Sequence, residues 1–262
     1  MSQQTADSVA AGHDADNWDG LWDEFAARAE KNPAQNYRRE VSMRLLEQDG
    51  VPQRLVDIGC GQGDFLRDAT KKWPNTKLVG VDASQRGLDD AKRKAPNAEL
   101  VLADLTAGPA DAGEFAGFGT HALCSEVIEH VDDPVACLRN ARPFLAPGAL
   151  VVVTVPGGQM SAFDRHIGHR QHFDPAKLAR IMEEAGFVDA HAMRAGFPFM
   201  NLYRRLVIMR GDKLITDASE HENGEGSLLM RATMAFFRPL MRLNRDSSKR
   251  GVQIIGIARE PK

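Results

Sequence analysis

The chain has 262 residues, of which 43% are hydrophobic and 26% are charged, and its formal net charge is −3. This composition is typical of a globular chain that builds a core, so disorder throughout is excluded. Because the chain is mildly acidic, it is a poor candidate for a basic nucleic-acid binder, and we expect no nucleic-acid partner. The length favours one large domain with additions.

The cysteines and the apolar runs together predict a cytoplasmic protein. Cys60, Cys124 and Cys137 are too few for a disulfide framework, which is typical of a reducing compartment. The longest apolar run, 149–155, is far too short to span a membrane. The first residues are polar and acidic, unlike a secretory signal, so we predict a disordered lead-in over 1–16.

The next elements, in chain order, are helices and then an alternation of strands with helices. Apolar residues at helical spacing predict an N-terminal helical cap over 17–50, broken at Asn32-Pro33. Near-continuous apolar strands separated by helices predict an α/β fold with a doubly wound parallel sheet. The predicted strands are 54–58, 77–81, 99–103, 120–124, 149–155, one from about 187, and 252–258. The predicted helices between them are 64–72, 84–94, 134–144 and 175–185.

A glycine turn directly after the first strand is the strongest local signal. Gly59, Gly61 and Gly63 open a helix and let the backbone pass close to a ligand. A dinucleotide fingerprint needs a small residue where this chain has Asp64, whose carboxylate would repel a pyrophosphate. A nucleotide-dependent oxidoreductase is therefore a weaker interpretation, and no phosphate-binding loop motif is present.

Three carboxylates stand at the ends of successive predicted strands. Asp82 can accept both hydroxyls of a ribose, and Asp104 can accept an adenine amino group. Together with Asp57 they suit a ligand that carries a ribose, an adenine and cationic groups but no phosphate. S-adenosylmethionine has this chemistry, and its carboxylate can use the amides at the helix N-terminus.

On these residues, the chain resembles the class I S-adenosylmethionine-dependent methyltransferases. The resemblance covers residues 37–194 and the final strand, and it is specific for cofactor and fold but weak for substrate. It implies a seven-stranded, Rossmann-like sheet whose last strand is antiparallel, with a cofactor domain over 51–194 that is completed by 251–262. The matching segments are 55–63, 79–84, 103–105, 125–134 and 145–150.

Within this class, the nearest resemblance is to the small-molecule O-methyltransferases of quinone and natural-product pathways. It implies methyl transfer to an oxygen, less readily a nitrogen or carbon, of a small molecule, sugar or lipid-like metabolite. It also implies that Tyr37 and Arg38 cover the methionine end of the cofactor. The implied cofactor-binding residues are Asp57, Gly59, Cys60, Gly61, Gly63, Asp82, Ala83, Asp104, Leu105, Ser125 and Glu126.

Histidines near the predicted ligand edge of the sheet are candidates for catalysis. His169 and His172 lie in a histidine-rich loop after the fifth strand, where either can act as a general base for a hydroxyl. The alternative is that His172 caps the helix that begins near Asp174. His130 is a third candidate, since it follows the fourth strand.

A divalent metal is a weaker interpretation of the same region, and we predict no metal ligands. Glu126, Glu129 and His130 would share a face if they lay on one helical turn, and His169 or His172 could complete the set. This run resembles the metal site of small-RNA 2′-O-methyltransferases and of some quinone O-methyltransferases. The first resemblance keeps a metal-dependent RNA enzyme as an alternative function. A non-catalytic binding protein with the same fold is the other alternative.

An insertion over 195–250 precedes the final strand and should carry structure of its own. Residues 194–250 hold 11 Lys/Arg and 6 Asp/Glu, so this stretch is positive, whereas the remainder of the chain carries −8. Arginines recur among leucines, methionines and phenylalanines from Leu228 to Met241, which predicts an amphipathic helix bent near Pro239. We expect a substrate lid that also makes peripheral contact with a membrane or contacts an anionic substrate, or else a helix packed on the sheet with a solvated basic face.

Overall fold

The computed structural model describes residues 32–220 and 228–262, and it leaves the side chains of 210–231 undescribed. The predicted lead-in, 1–16, and the part of the helical cap before Asn32 lie outside the described residues. The break predicted at Asn32-Pro33 is where the first described helix begins. Asn32 caps this helix by accepting a hydrogen bond from the Ala34 amide at 2.9 Å.

A seven-stranded sheet forms the centre of the molecule. The strands are β1 (Arg54–Ile58), β2 (Lys77–Asp82), β3 (Glu99–Leu102), β4 (Gly119–Ser125), β5 (Leu145–Pro156), β6 (Val188–Ala195) and β7 (Gln253–Arg259). They lie in the order β3-β2-β1-β4-β5-β7-β6. Strand β7 runs antiparallel to both of its neighbours, β5 and β6, while the pairings among β1 to β5 are parallel. The predicted fold class, a doubly wound sheet with the last strand antiparallel, is therefore confirmed.

Eight helices in the described ranges cover the sheet and its edges. Most begin at a short polar side chain that caps the first turn, and three begin with proline at the first position. The helices are α1 (Pro33–Leu46), α2 (Asp64–Lys72), α3 (Gln85–Lys94), α4 (Pro134–Ala141), α5 (Ala162–His166), α6 (Pro175–Glu184), α7 (Phe199–Glu220) and α8 (Leu228–Leu240).

Two hydrophobic clusters fill the two faces of the sheet, because successive strand residues point to opposite sides. In β1, Val56 belongs to the cluster beneath α4 and α6, whereas Leu55 belongs to the cluster beneath α1, α2 and α3. The second cluster also takes in Met200, Tyr203 and Phe237 from the insertion. Burial on both faces explains why the strands read as near-continuous apolar runs.

The insertion before β7 forms helices α7 and α8, as expected from its length. Tyr203 of α7 and Phe237 of α8 pack with ring centroids 5.3 Å apart. Asp246 ties the end of the insertion to α1 through a two-pronged ion pair with Arg44, at 2.7 and 2.9 Å. The predicted helix near Pro239 is present and ends one residue later, at Leu240. Among the described residues, no helix is long and apolar enough to cross a membrane.

Candidate active site

The glycine turn after β1 is shaped by close approach of neighbouring side chains. Gly59 has φ +70°, and a Cβ there would overlap the side chain of Val127. Gly63 has φ +76°, and a Cβ there would lie 2.7 Å from the Cα of Ala91 in α3. Gly63 therefore serves helix packing, whereas Gly59 keeps the turn open beside the loop after β4.

A cavity of about 500 Å³ extends from the glycine turn to helix α7 of the insertion. Gly63, which the sequence placed among the cofactor residues, does not line it, because this glycine faces α3. The other predicted residues do line it: Asp57, Gly59, Cys60, Gly61, Asp82, Ala83, Asp104, Leu105, Ser125 and Glu126. Arg38 also lines the cavity, while its neighbour Tyr37 is buried in the core.

The three strand-end carboxylates differ in environment. Asp82 accepts hydrogen bonds from the amides of Gly61 at 2.7 Å and Ser84 at 2.9 Å, which fixes its side chain against the turn. Asp57 is buried, and this burial, together with the negative charge of Asp82, raises the pKa of Asp57 to about 8. Asp104 is exposed and accepts two hydrogen bonds from Thr106. A cation placed near Asp57 would stabilise its ionised form.

A hydrogen-bonded network joins α1, the loop after β4 and the start of β7. The Nη2 of Arg38 lies 3.0 Å from Oε2 of Glu126, and its Nε donates to Oε1 of Gln253 at 2.8 Å. The Nε2 of Gln253 donates in turn to Oε1 of Glu126 at 2.8 Å. Since each side chain meets both others, the triangle holds Arg38 at the cavity wall.

The segment after β4 is a series of turns, which corrects the prediction that its charged residues lie on one helical turn. Glu126 has φ +58°, a left-handed conformation that ends the strand and starts no helix. Helix α4 begins only at Pro134, because proline disfavours a helical residue before it and Asp133 caps the first turn. Glu126 therefore turns toward Arg38, while Glu129 and His130 turn toward the histidine loop.

A chain of hydrogen bonds selects the tautomers of two histidines. The Nδ1 of His172 lies 3.1 Å from the carbonyl oxygen of Gly158, which can only accept, so this nitrogen carries a hydrogen. In neutral His172 the Nε2 is then an acceptor, and it lies 3.2 Å from Nδ1 of His169. His169 therefore donates from Nδ1 and keeps a lone pair on Nε2.

Buried groups around this pair hold it in place. Asp164 accepts a hydrogen bond from Arg204 of α7 at 2.8 Å and lies 3.8 Å from Nε2 of His172. The His169 ring meets the His130 ring edge to face, with centroids 4.7 Å apart. His169 and His130 line the cavity and His172 does not, so His172 stands behind His169. Asp174, and not His172, caps α6, which rules out the capping role considered for His172.

Burial keeps these imidazoles neutral at neutral pH. Burial first, and then the charge of His130, lowers the pKa of His169 to about 3. Burial likewise lowers the pKa of His130 to about 4, and it lowers that of His172. A neutral imidazole has one nitrogen lone pair, so it can accept a proton or bind a metal.

One group of side chains has the composition of a metal site. The donor atoms of Glu129, His130 and His169 all lie within 4.8 Å of one another. Glu129 is completely buried, and neither of its carboxylate oxygens has a hydrogen-bond partner among the described residues. Burial and the nearby Glu126 raise the pKa of Glu129 well above its ordinary value. A buried carboxylate without partners fits a divalent cation together with two imidazoles.

A second group, Asp164 with His169 and His172, has the same spacing but fits a cation less well. Asp164 already accepts hydrogen bonds from Arg204 and from the Ser161 amide and hydroxyl. The Nε2 of His172 is taken up by His169. The first group is therefore the better candidate metal site among the described residues.

The sequence did not indicate four residues that shape this region. Gln253 is the one polar side chain in an otherwise apolar stretch of β7, which was a usable signal. Asp164 follows Ser161 at the spacing of a capping box, and the structure contains that box. Arg204 and Tyr203 carried no local signal, because only the packing of α7 brings them to the cavity.

Comparison with known proteins assigns the family. A family profile described as a methyltransferase domain matches residues 29–192, which is more than half of the chain. The sheet order, the glycine turn and this match agree, and the chain belongs to the class I S-adenosylmethionine-dependent methyltransferase family.

Individual relatives agree on the family and differ in their acceptors. A ubiquinone biosynthesis O-methyltransferase of Caulobacter sp. K31 is 34% identical over 154 residues, 50% of this chain and 56% of that protein. A trans-aconitate 2-methyltransferase of Rhodopseudomonas palustris BisA53 is 30% identical over 105 residues, 40% of this chain and 39% of that protein. The chain thus spans about half, or less, of the length of the curated relatives it matches.

A solved structure shares the fold. The N-methyltransferase NodS from Bradyrhizobium japonicum WM9, in complex with S-adenosyl-L-homocysteine, superimposes with a TM-score of 0.56 at 16% identity. The match covers 94% of this chain and 98% of that chain.

Proposed function

We propose that this protein transfers the methyl group of S-adenosylmethionine to an oxygen of a small molecule, sugar or lipid-like metabolite. The observation that carries the proposal is the chain from Gly158 through His172 to His169, which leaves a lone pair on Nε2 of a histidine at the wall of the cavity. A neutral imidazole beside a cofactor-sized cavity can accept the proton of a hydroxyl, and its pKa of about 3 makes it a weaker base than an ordinary histidine.

The strand ends at the glycine turn suit the cofactor. Asp82 is held by the turn amides and would accept the two ribose hydroxyls, and Asp104 and Leu105, which line the cavity, would lie beside the adenine. Asp57 is buried with a raised pKa, so a cationic group of the cofactor would stabilise its carboxylate. The Arg38 guanidinium, held by Glu126 and Gln253, would offer its remaining N–H groups to the carboxylate of the cofactor.

The far end of the cavity suits an acceptor with an apolar body. Its lining there comes mainly from hydrophobic side chains of α5, the following loop and the insertion, with a few polar groups among them. These side chains are Phe163, Ile167, Met200, Leu206, Val207 and Met234. The relatives include both a ubiquinone O-methyltransferase and a trans-aconitate methyltransferase. The apolar lining favours the more hydrophobic of these two kinds of acceptor.

The transfer itself is a displacement at the methyl carbon. The acceptor oxygen forms a bond to that carbon, the carbon–sulfur bond breaks, and its electron pair stays on sulfur. The hydroxyl proton passes to Nε2 of His169, while His172 steadies the Nδ1–H on the other side of the ring. Alignment of the reacting atoms can lower the barrier by roughly 7–11 kcal/mol, and a general base adds roughly 10²–10⁴-fold.

A divalent cation is the second way in which the same residues can serve this reaction. Glu129, His130 and His169 would hold it, and when bound it would polarise the acceptor hydroxyl and lower its pKa. The lone pair of His169 can bind either a proton or a cation, so the two versions exclude each other at this atom.

Turnover with and without a chelator tests both versions. Release of S-adenosylhomocysteine is measured against a panel of phenols, sugars, lipids, carboxylic acids and short RNAs, after calorimetry has shown that the cofactor binds. Full activity in chelator supports His169 as the base, and activity restored only by added Mg²⁺ or Mn²⁺ supports the metal. Cofactor binding without turnover on any acceptor would favour the non-catalytic alternative, and absence of cofactor binding would overturn the proposal.

A further inference from the structure

The insertion exposes an unusual share of large hydrophobic side chains. Among the described side chains, eight large hydrophobic residues are exposed, and five of them belong to α7, α8 and the turn after α8. They are Leu202, Ile208, Met209, Phe236 and Leu243, and Met209 is 81% exposed. Exposed large apolar side chains concentrated in one part of the chain in this way indicate a site of interaction.

On α7 the exposed residues form one continuous arc. At 100° per residue, Ile208, Arg205, Met209 and Leu202 follow one another over about a third of the helix circumference. The opposite side holds Tyr203, which is buried against Phe237 and lines the cavity. Helix α7 therefore presents one face to the site and an apolar face with an arginine to the outside.

The described part of α8 and the turn that follows also expose hydrophobic side chains together with arginines. Phe237 is 2% exposed and points into the core, whereas Phe236 beside it is 64% exposed. Arg238, Arg242 and Leu243 are also exposed. Hydrophobic side chains thus alternate with arginines on the outer side of the second helix as well.

The described and exposed charges of this surface have one sign. Among the described side chains of α7, α8 and the turn after α8, Arg205, Arg238 and Arg242 are exposed and none is acidic, while the chain outside 194–250 carries a net charge of −8. Asp246, the first acidic residue after this turn, is engaged by Arg44. A basic surface on an acidic body is complementary to an anionic partner.

We propose that the outer faces of α7 and α8 dock on an anionic lipid bilayer. Helices that lie in a bilayer interface place apolar side chains at the acyl boundary and arginines at the phosphates, and both kinds of residue alternate here. Arginine stems also cover apolar surface while the guanidinium stays at the headgroups, which suits the mixed arc on α7. An acidic protein groove is the competing partner, and it would not require bilayer composition to matter.

The docking also places the cavity near the lipid. Leu206 and Val207 on the inner side of α7, and Met234 on α8, line the cavity, whereas Met209 and Phe236 face outward. An acceptor dissolved in the bilayer would then reach the site between two helices that already lie on the membrane. This last step rests on the proposed function, but the docking itself does not.

Co-sedimentation of the full-length protein with vesicles tests the docking. We expect binding to vesicles of phosphatidylcholine with 30% phosphatidylglycerol, and weak binding to phosphatidylcholine alone. The Arg238→Glu/Arg242→Glu variant should bind the anionic vesicles at least about fivefold more weakly. The Met209→Ser/Phe236→Ser variant should bind them about tenfold more weakly, because two apolar side chains no longer enter the interface.

Matched variants on the body serve as controls. Lys71→Glu/Lys77→Glu makes the same charge change at exposed positions, and Val51→Ser removes an apolar side chain that is 62% exposed. Both controls should bind the vesicles like the parent protein. Cofactor binding, measured by calorimetry, should be unchanged in every variant. This result shows that each variant folds, and it distinguishes a failure of docking from a failure of the proposed function. No binding to anionic vesicles, equal binding to both vesicle types, or equal losses in body and insertion variants would overturn the docking.

Discussion

The Nδ1 of His169 lies 3.2 Å from the Nε2 of His172, and the other nitrogen of His172 meets a backbone carbonyl. Because a carbonyl only accepts, the direction of both hydrogen bonds is fixed in the neutral pair, and the remaining lone pair falls on Nε2 of His169. The two histidines therefore have unequal roles, although they lie three residues apart in one loop. His169 touches the cavity, and His172 positions it.

This inequality predicts different kinetic effects of mutating the two residues. His169→Ala should lower kcat by about 10²-fold, at the low end for a general base, because it removes the proposed base or metal ligand, with little change in cofactor affinity. His172→Leu should lower kcat by about 10–100-fold, since His169 is kept but loses the partner that fixes its tautomer. Steady-state kinetics and calorimetry with the cofactor provide the measurements.

A conservative variant separates positioning from general damage. In His172→Gln the side-chain carbonyl can still accept from Nδ1 of His169, so most of the kcat lost in His172→Leu should return. The proposed roles, His169 at the cavity and His172 as its positioning residue, are wrong if the glutamine and leucine variants lose equal kcat. They are also wrong if His172→Leu loses more kcat than His169→Ala.

Two glutamates three residues apart allow a matched test of burial. Glu126 has Arg38 and Gln253 as partners, so Glu126→Gln should destabilise the protein by about 1–3 kcal/mol. The carboxylate of Glu129 has no hydrogen-bond partner within the described part of the chain, and its pKa is raised in the folded state. A raised carboxyl pKa means that stability falls as the pH rises above the unfolded-state value, because ionisation is costly only when folded.

In a chelator and without cofactor, Glu129→Gln should therefore raise Tm relative to the parent at pH 8, and less so at pH 5. Added Mg²⁺ or Mn²⁺ should raise the Tm of the parent protein at pH 8 if the cation binds at Glu129, and it should leave Glu129→Gln unchanged. Thermal melts at the two pH values give all of these comparisons. A Glu129→Gln protein that melts lower than the parent at pH 8 in chelator would contradict the unpartnered state of this carboxylate.

Burial of Asp57 predicts a proton linked to cofactor binding. With a pKa of about 8, this carboxyl is largely protonated at pH 7 in the free protein. A cationic cofactor lowers that pKa, so binding should release close to one proton at pH 7 and affinity should rise between pH 6 and pH 8. Calorimetry in two buffers with different ionisation enthalpies counts the protons. Asp57→Asn should abolish this release, and a parent protein that releases none would refute the linkage.

The fold was largely predictable from sequence because its signals are local. Strand β1 and helix α2 begin and end where the apolar run, the glycine turn and Asp64 predict. The same holds for the carboxylates that line the cavity at the strand ends, since parallel strands bring their ends to one edge. Asp57, Asp82 and Asp104 could therefore be placed together from spacing alone.

The acceptor side was less predictable because its contacts join distant parts of the chain. Glu126 and Gln253 are 127 residues apart, and Asp164 and Arg204 are 40 apart, yet both pairs are hydrogen-bonded. Nothing in the local sequence around Glu126 predicted that its side chain would lie apart from Glu129 and His130 and pair with Arg38. Only the left-handed turn at this residue, together with α1 packed above it, separates the two carboxylates.

A final prediction concerns two glycines of the turn after β1. Replacing each of them with alanine should impair the protein for a different reason. Gly59→Ala should abolish most cofactor binding, because the new methyl group meets the Val127 side chain at the wall of the cavity. Gly63→Ala should instead lower Tm, because its methyl group meets the backbone of Ala91, which cannot move aside as a side chain can. The positive φ adds about 1–2 kcal/mol of strain at each position.

A second substitution tests this distinction within the same chain. Val127→Ala removes the methyl groups that Gly59→Ala would overlap, so the double variant should regain part of its cofactor affinity. The same change should do nothing for Gly63→Ala, which lies against α3 instead. Calorimetry for the cofactor and thermal melts for stability separate the two losses. Rescue of both glycine variants by Val127→Ala, or of neither, would show that the turn is not built from these two separate contacts.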